Sequence, residues 1–288
     1  MSDVQQQRQQ ATGELRQWIL AQAQAGCSVE TVFQAMKASG WQEDIAASAL
    51  EETLLVKLAG GASQHGLPPP TRVPEPNLHE SPAQLWAGDR DVSVIMAMRN
   101  PRVVVFGELL TSDECDELQV LAQPRLTRST TLSNTSGDSE VDVARTSQGM
   151  FFDRGENPLC VRIERRISAL LNWPVDNGEG LQVLRYAPGA EYRPHYDYFD
   201  PRLPGRAPSL ERGGQRVGTL LMYLSTPSKG GGTLFPDVQL EVSPLKGHAV
   251  FFSYDRPHQM TRTLHGGSPV IDGEKWAATK WLRERAFA

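Results

Sequence analysis

The sequence has few cysteines, few histidines and no long apolar run. Its 288 residues include three cysteines, Cys27, Cys115 and Cys160, which are scattered along the chain. An odd number of scattered cysteines predicts reduced, half-buried thiols rather than a disulfide framework or a zinc site. Because no apolar run approaches the ~20 residues that a membrane helix needs, we do not expect a membrane partner.

Basic charge is not in excess either. The sequence contains 29 Lys and Arg against 34 Asp and Glu, a formal charge of −5. Without a long basic run, a nucleic-acid partner is not expected. The first residues, MSDVQQQRQQ, are polar and lack the apolar core of a signal peptide, which predicts a cytoplasmic protein. The composition leaves the oligomeric state open.

The first part of the chain has the pattern of helices. Residues 1–58 contain three stretches with apolar residues at helical spacing and glycine stops, which predict a small all-α N-terminal domain. Residues 59–86 are rich in glycine and proline and have no periodicity, which is typical of an interdomain linker. The predicted core of the helical domain comprises Trp18, Ile19, Val32, Met36, Trp41, Ile45, Leu50 and Leu54.

Residues 87–288 have a different pattern and are predicted to form a mainly β catalytic domain. Thr111 and Glu114 form a capping-box pattern at the start of one helix. Asn157 followed by Pro158 marks the start of another. Beyond residue 180 the apolar stretches are short and separated by turn residues, with no helix pattern between them. This arrangement predicts an antiparallel barrel or jelly roll with a few supporting helices.

A histidine and an aspartate lie two residues apart in YRPHYDYFD, residues 192–200. On a strand, His195 and Asp197 would point to the same face. Such a pair is common by chance, so a metal site needs a third ligand. Four other histidines are weaker candidates for the third metal ligand, because they lie in the linker or in turn-like segments: His65, His79, His248 and His258.

His265, in TLHGGSPVIDGEKWAATKWL, is the better third ligand. Two imidazoles and one carboxylate on one side of an octahedral metal leave three positions open, as in the facial triad of non-haem Fe(II) oxygenases. A 2-oxo acid could chelate such a metal, and its far carboxylate would then need a cation. Lys275 can supply it, because it follows a predicted turn at Asp272 and Gly273 and lies in an apolar strand.

The ordered motifs of the second half of the chain resemble the catalytic domain of collagen-type prolyl 4-hydroxylases. These motifs are RTSQGMFF, LQVLRYAPGAEYRPHYDYF, GGQRVGTLLMYLS, GGGTLFP, LKGHAVFF and TLHGGSPVIDGEKWAATKWLRE. The resemblance covers roughly residues 95–288. It implies a double-stranded β-helix that uses Fe²⁺, 2-oxoglutarate and O2, with L-ascorbate as a further cofactor. The implied reaction hydroxylates a prolyl residue of a peptide or protein and releases succinate and CO2.

The resemblance also implies roles for particular residues. His195, Asp197 and His265 match the iron ligands, and Lys275 matches the lysine that pairs with the far carboxylate of 2-oxoglutarate. Two further positions match residues of the cosubstrate pocket, Tyr186 and Thr233. Five match positions near the peptide substrate: Arg145, Ser147, Tyr192, Arg216 and Trp281.

Plainer interpretations stay open at this point. Tyr186 and Trp281 could be core aromatics, Thr233 a strand former, and Arg216 a surface cation. The same iron site could oxidise a small molecule or another side chain. The chain could also be a binding module with an inert barrel, whose N-terminal helices recruit a partner. Three ligands together with Lys275 argue against an inert barrel.

Overall fold

In a computed structural model of the chain, the structure describes residues 13–64, 67–128, 131, 132, 139, 140, 146–203, 205 and 207–287. The chain separates into two compact units, Met1–Thr71 and Arg72–Ala288. Arg145 and His65 lie outside the described residues. In the described parts of the chain, no helix combines the length and the apolar character that crossing a bilayer requires.

The first unit contains three helices, α1 (Gly13–Gln24), α2 (Val29–Ala38) and α3 (Glu43–Gln64). Ser28 caps α2, where its hydroxyl accepts a hydrogen bond from the Thr31 amide at 3.1 Å. Trp18, which was expected in the core, is 38% exposed. The reason is its position next to Ile19, because adjacent helical residues point in different directions. The buried members of the core are Leu15, Ile19, Val32, Met36, Ala46, Ala49 and Leu50.

The boundaries around the glycine- and proline-rich stretch differ from the predicted residues 59–86. Helix α3 continues past residue 58 to Gln64. The far end of the stretch belongs to the second unit, where the Glu75 amide donates to the Leu171 carbonyl at 2.9 Å. The Asn172 side chain in turn donates to the Glu75 carbonyl at 3.0 Å. Because a proline-rich segment held by backbone hydrogen bonds has no hydrophobic period, the sequence pattern did not reveal that this stretch packs against the second unit.

The second unit is mainly antiparallel β. In chain order, its strands are β1 (Gln84–Trp86), β2 (Asp91–Met98), β3 (Arg102–Gly107), β4 (Thr127–Arg128), β5 (Thr131–Leu132), β6 (Ser139–Glu140), β7 (Gln148–Phe152), β8 (Leu181–Tyr186), β9 (Tyr192–His195), β10 (Arg216–Tyr223), β11 (Lys229–Gly230), β12 (Thr233–Phe235), β13 (Leu240–Val242), β14 (Ala249–Ser253), β15 (His265–Gly267), β16 (Val270–Asp272) and β17 (Lys275–Arg283). Among the described residues, the larger sheet has the order β1-β2-β3-β14-β10-β17-β8-β7-β4, and a smaller one has the order β13-β12-β15-β9.

Three helices accompany these strands in the described residues: α4 (Ser112–Ala122), α5 (Pro158–Leu171) and α6 (Ala207–Glu211). The predicted starts of α4 and α5 are confirmed. Thr111 and Glu114 exchange both capping-box hydrogen bonds at 3.0 Å. The Asn157 side chain accepts a hydrogen bond from the Cys160 amide at 2.9 Å. The prediction of a mainly β unit with supporting helices is therefore confirmed.

Helices α4 and α5 cover one side of the larger sheet. Their apolar residues, such as Leu118, Ile163 and Ile167, share one buried cluster with Val183 and Leu282 of the sheet. Each fully buried side chain of this size contributes about 1.5–3 kcal/mol. Cys115 and Cys160 are free and fully buried rather than half-buried, as components of this same cluster. The helices thus leave the opposite side of the sheet to face the smaller sheet.

Strand β17 shows the alternation that separates the two sides of the larger sheet. Lys275, Ala277, Thr279 and Trp281 line a cavity between the sheets. The residues between them, such as Ala278 and Leu282, belong to the core under the helices. Because successive strand residues point to opposite faces, one strand serves both the helix-packed core and the cavity.

Candidate active site

Two histidines face each other across the smaller sheet. Strands β9 and β15 are antiparallel, and His195 lies directly opposite His265 in their register. At Gly266 a Cβ atom would lie 2.8 Å from the Tyr192 carbonyl oxygen, so only glycine allows this close approach of the two strands. Asp197 follows His195 by two residues, just beyond the end of β9.

The three predicted metal-binding side chains come together at this point. Their possible ligand atoms all lie within 4.8 Å of one another. Asp197 Oδ1 is 3.5 Å from His195 Nε2, and Asp197 Oδ2 is 3.4 Å from His265 Nε2. In the described part of the chain, this is the cluster of at least three His, Cys, Asp or Glu side chains that could hold a metal ion.

Backbone carbonyls orient both imidazoles. His195 Nδ1 lies 2.9 Å from the Arg193 carbonyl oxygen, and His265 Nδ1 lies 3.0 Å from that of Thr263. A carbonyl oxygen can only accept, so each Nδ1 carries the proton and donates it. In the neutral imidazole, the free lone pair is then on Nε2, and both Nε2 atoms lie toward Asp197. This is the arrangement in which histidine binds metals in proteins.

The protonation states suit metal binding as well. Burial lowers the pKa of His265 to about 4, so its imidazole is neutral at neutral pH. Burial by itself would raise the pKa of Asp197, but the neighbouring His265 and His195 outweigh it and lower this pKa overall. One carboxylate and two imidazoles fit Fe(II) by their chemistry and leave open positions for further ligands.

The other described histidines take no part in this cluster. His258 caps a short turn, where its Nδ1 accepts a hydrogen bond from the Met260 amide at 3.1 Å. His248 is half-buried, with Nδ1 3.4 Å from the Lys246 carbonyl oxygen. The side chain of His79 is 82% exposed. Turn geometry and solvation explain these three without a metal.

Lys275 is the first residue of β17 and lies opposite Tyr186 of β8. It follows a turn in which Gly273 has a φ of +83°, a conformation that glycine adopts without steric cost. Lys275 is 4% exposed, and burial lowers its pKa to about 8, although the charge of Glu241 opposes this shift. Among the described residues no carboxylate lies within 4 Å of its Nζ.

Aromatic residues and a threonine surround this lysine. Lys275 Nζ lies 5.6 Å from the ring centroid of Tyr186 and 5.7 Å from that of Tyr223. The Tyr223 hydroxyl donates to Thr233 Oγ1 at 2.8 Å. Thr233 and Tyr186 are both buried, at 1% and 6% exposure. A buried ammonium among these groups attracts the carboxylate of a ligand, because the surrounding residues do not neutralise it.

One cavity joins the histidine cluster to Lys275. Its empty volume, including the part open to solvent, is about 490 Å³. Both sheets contribute to its walls, which consist of Leu184, Tyr186, Tyr192, His195, Asp197, Thr219, Leu221, Thr233, Phe252, His265, Gly266, Gly267, Lys275, Ala277, Thr279 and Trp281. The predicted metal ligands and the predicted cosubstrate residues thus share one cavity.

Two of the five predicted peptide-contacting residues line this cavity. The Tyr192 ring stacks on the His195 ring, with centroids 3.8 Å apart. Trp281 has a buried Nε1 that makes no hydrogen bond to the described residues. Arg216 lies behind Trp281, with its guanidinium carbon 3.9 Å from the ring centroid. Ser147 is buried beside the start of β7, and Arg145 is not among the described residues.

Arg216 is held by a carboxylate that the sequence did not single out. Glu179 accepts two hydrogen bonds from the Arg216 guanidinium, at 2.6 and 2.9 Å. It accepts another from Arg283 at 2.8 Å. Arg216 is therefore a partly buried, paired cation, and the interpretation of it as a surface cation is wrong. Glu179 lies 37 residues from Arg216, so no local pattern could have linked them.

Sequence reasoning also missed two hydroxyl groups behind Asp197. Thr219 Oγ1 lies 2.7 Å from Asp197 Oδ2, and the Tyr254 hydroxyl lies 3.0 Å from Thr219 Oγ1. The local signal was a threonine in the middle of the apolar strand VGTLLMY. A polar side chain in a buried strand calls for a partner, but the pattern does not say which one.

Comparisons with known proteins agree with this geometry. A family model described as the 2OG-Fe(II) oxygenase superfamily matches residues 181–283. Prolyl 4-hydroxylase 1 of Arabidopsis thaliana is 38% identical over 226 residues, which are 70% of this chain and 78% of that protein. This chain belongs to the prolyl 4-hydroxylase family. The resemblance seen in the sequence is thereby confirmed, and the protein is a 2-oxoglutarate-dependent dioxygenase of this family.

Further prolyl hydroxylases are similar to this chain. Prolyl 4-hydroxylase 2 of Arabidopsis thaliana is 40% identical over 210 residues, 65% of this chain and 69% of that protein. A solved structure of the viral collagen prolyl hydroxylase from Paramecium Bursaria Chlorella virus-1, in complex with 2OG, is 31% identical. It covers 63% of this chain and 95% of its own, with a TM-score of 0.49.

Proposed function

We propose that this protein hydroxylates prolyl residues of a peptide or protein, using Fe²⁺, 2-oxoglutarate and O2 and releasing succinate and CO2. The observation that carries the proposal is a single cavity lined both by the His195, Asp197 and His265 cluster and by Lys275, which has no carboxylate within 4 Å among the described residues. A binding module with an inert barrel would not need a buried lysine without a carboxylate partner, because such a charge costs stability.

His195, Asp197 and His265 would hold Fe²⁺, which in the bound state supplies the oxidising chemistry together with 2-oxoglutarate and O2. Lys275 would pair with the far carboxylate of 2-oxoglutarate, and the Tyr186 and Thr233 hydroxyls would hydrogen-bond to it. L-ascorbate would serve as the reductant that maintains Fe²⁺. In this proposal the larger and smaller sheets are the two halves of a double-stranded β-helix.

The peptide substrate would enter at the end of the cavity where Tyr192 and Trp281 lie. Their flat rings offer apolar surface to a pyrrolidine ring, and the free Trp281 Nε1 can donate to a backbone carbonyl. Arg216, held by Glu179, would keep the Trp281 ring in place from behind. Ser147 and Arg145 remain proposed peptide contacts. These residues favour a prolyl peptide over a small molecule.

The test is to incubate the purified full chain with Fe²⁺, 2-oxoglutarate, ascorbate and a proline-rich peptide, and to measure both succinate and hydroxyproline. We expect equal amounts of the two products. The same peptide with alanine in place of each proline should give no hydroxylated product. His195→Ala should abolish both products, whereas the matched variant His258→Ala should retain them, because His258 only caps a turn.

Other outcomes would contradict the proposal in distinguishable ways. Succinate release that is coupled to oxidation of a small molecule or of another side chain, and never to proline, would contradict the substrate. Absence of 2-oxoglutarate turnover with every peptide and small molecule would contradict the reaction itself and favour a binding module.

A further inference from the structure

A chain of two hydroxyl groups stands behind the carboxylate of the histidine cluster. Thr219 Oγ1 is 2.7 Å from Asp197 Oδ2, and the Tyr254 hydroxyl is 3.0 Å from the same Thr219 oxygen. Thr219 and Tyr254 are each 2% exposed, and Asp197 is 7% exposed. Water therefore has little access to these groups, and they must satisfy one another.

Donor counting sets the direction of both hydrogen bonds. An ionised carboxylate can only accept, so the Thr219 hydroxyl donates its single proton to Asp197 Oδ2. The Thr219 oxygen then has only lone pairs left for Tyr254, whose hydroxyl must be the donor. Burial raises the pKa of the Tyr254 hydroxyl well above its ordinary value, so it keeps that proton. The chain runs from Tyr254 through Thr219 to Asp197.

Both hydroxyl groups are fixed by the larger sheet rather than by loops. Thr219 lies inside β10, where it is registered against Phe252 of β14 and Trp281 of β17. Tyr254 follows β14 directly, and its amide donates to the Val217 carbonyl at 3.1 Å. Asp197, by contrast, lies beyond the end of the short strand β9. The chain thus connects a ligand at a strand end to a rigid part of the fold.

The two carboxylate oxygens of Asp197 are placed differently as a result. Oδ2 accepts the Thr219 hydrogen bond, while Oδ1 lies 3.5 Å from His195 Nε2. Each oxygen lies close to one imidazole, since Oδ2 is 3.4 Å from His265 Nε2, but among the described residues only Oδ2 also accepts a hydroxyl hydrogen bond. We propose that Thr219 and Tyr254 are positioning residues that hold Oδ2 and present Oδ1 of Asp197 to a divalent metal. This inference rests on the metal site of the proposed function.

The experiment measures metal affinity without turnover. Co²⁺ is titrated anaerobically into the full chain, and its visible absorption and heat of binding are followed. Outer partners of metal ligands typically change metal affinity by about 10- to 100-fold. We expect Thr219→Val to weaken Co²⁺ binding at least tenfold and Tyr254→Phe to weaken it about threefold to tenfold. Thr219→Ser, which keeps the hydroxyl, should stay close to the unmodified protein.

The double variant Thr219→Val with Tyr254→Phe separates positioning from packing. If Tyr254 acts through Thr219, its substitution should have no further effect once the Thr219 hydroxyl is gone, so the double variant should bind Co²⁺ as Thr219→Val does. Tyr198→Phe is the matched control, because its ring centroid lies 6.0 Å from that of Tyr254 and its hydroxyl donates to no described residue. It should leave Co²⁺ affinity unchanged.

Three results would overturn the inference while the metal site stands: unchanged affinity in Thr219→Val, unchanged affinity in Tyr254→Phe, or effects that add in the double variant. Thermal unfolding of the metal-free variants shows which of them are misfolded, so that a loss of Co²⁺ affinity caused by misfolding can be recognised. If Thr219→Val is misfolded, Thr219→Ser still tests whether the hydroxyl at this position maintains Co²⁺ affinity. If the unmodified protein binds no Co²⁺, or binds it equally well as Asp197→Ala, the metal site of the proposed function fails together with this inference.

Discussion

Each face of strand β17 buries one lysine, and the two lysines differ in whether a carboxylate of the described residues pairs with them. Lys280 faces helix α5, where its Nζ lies 2.6 Å from Glu164 Oε1, and both side chains are 2% exposed. Lys275 faces the cavity, is also buried, and has no carboxylate within 4 Å among the described residues. Burial lowers the pKa of both lysines, but only Lys280 has a direct ion pair that opposes the shift.

This difference separates a structural charge from a functional one. A buried cation that the chain itself neutralises belongs to the packing of the fold. A buried cation without a carboxylate partner costs stability, and such groups concentrate at sites that bind charged ligands. Lys275 and Lys280 have the same side chain on the same strand, so what distinguishes them is the face on which each lies.

Removal of the structural lysine should cause the largest loss. Lys280→Met leaves Glu164 charged and buried, which typically costs about 3–5 kcal/mol of unfolding free energy. Denaturant unfolding measures this loss. The double variant Lys280→Met with Glu164→Leu should regain most of it, because it removes both charges. If the single variant is as stable as the unmodified protein, the pair does not hold α5 to the sheet.

Removal of the functional lysine should leave the fold intact and strongly weaken cosubstrate binding. Loss of one partner from a buried charge pair costs about 2–5 kcal/mol of binding free energy, so Lys275→Met should weaken 2-oxoglutarate binding by about 30-fold or more. Calorimetry in the presence of Mn²⁺ checks this. Unfolding free energy without 2-oxoglutarate should not decrease, since an unpaired charge has been removed. A large decrease would make Lys275 a structural residue like Lys280.

The two lysines should also differ in their response to pH. Lys275 has a folded-state pKa of about 8, below its ordinary value of 10.5. Only its protonated form can pair with a carboxylate, so 2-oxoglutarate affinity should be constant below about pH 7 and fall as pH rises through 8. At pH 9 it should be about tenfold weaker. Binding to Lys275→Met, measured in the same way, should lack this dependence.

The lowered pKa of Lys275 also makes the unfolding free energy of the 2-oxoglutarate-free protein depend on pH. Because the unfolded chain keeps the Lys275 proton to higher pH than the folded protein does, the unfolded state binds more protons between pH 8 and 10.5. The contribution of Lys275 to unfolding free energy should therefore rise with pH in that window. To isolate this contribution, unfolding free energy is measured as a function of pH for the unmodified protein and for Lys275→Met, and the second curve is subtracted from the first.

The smallest effect is expected from the neighbouring hydroxyl. Tyr186→Phe keeps the ring near Lys275 Nζ and removes only the hydroxyl, so it should weaken 2-oxoglutarate binding about twofold to tenfold, the value of one hydrogen bond. Tyr198→Phe removes a tyrosine hydroxyl that does not line the cavity and should have no effect. Equal behaviour of the two variants would show that Tyr186 serves only as a core aromatic.

Much of the site could be predicted because its signals are local. His195 and Asp197 are two residues apart, and Gly273 places the turn before Lys275. The capping box of α4 and the N-terminal start of α5 were likewise predicted correctly, since they depend on residues three positions apart. The exposure of Trp18 was not, because the pattern gives the period of α1 but not which of two adjacent positions faces its neighbours.

The sequence by itself determined the family, the mainly β character of the second unit and the set of candidate ligands, because short-range spacing and motif order encode them. Only the tertiary structure decided which polar residues are paired. Glu164 lies 116 residues from Lys280, Glu179 lies 37 from Arg216, and Tyr254 lies 35 from Thr219. Such pairs form when strand register brings distant segments together, and register depends on the whole sheet rather than on any local pattern.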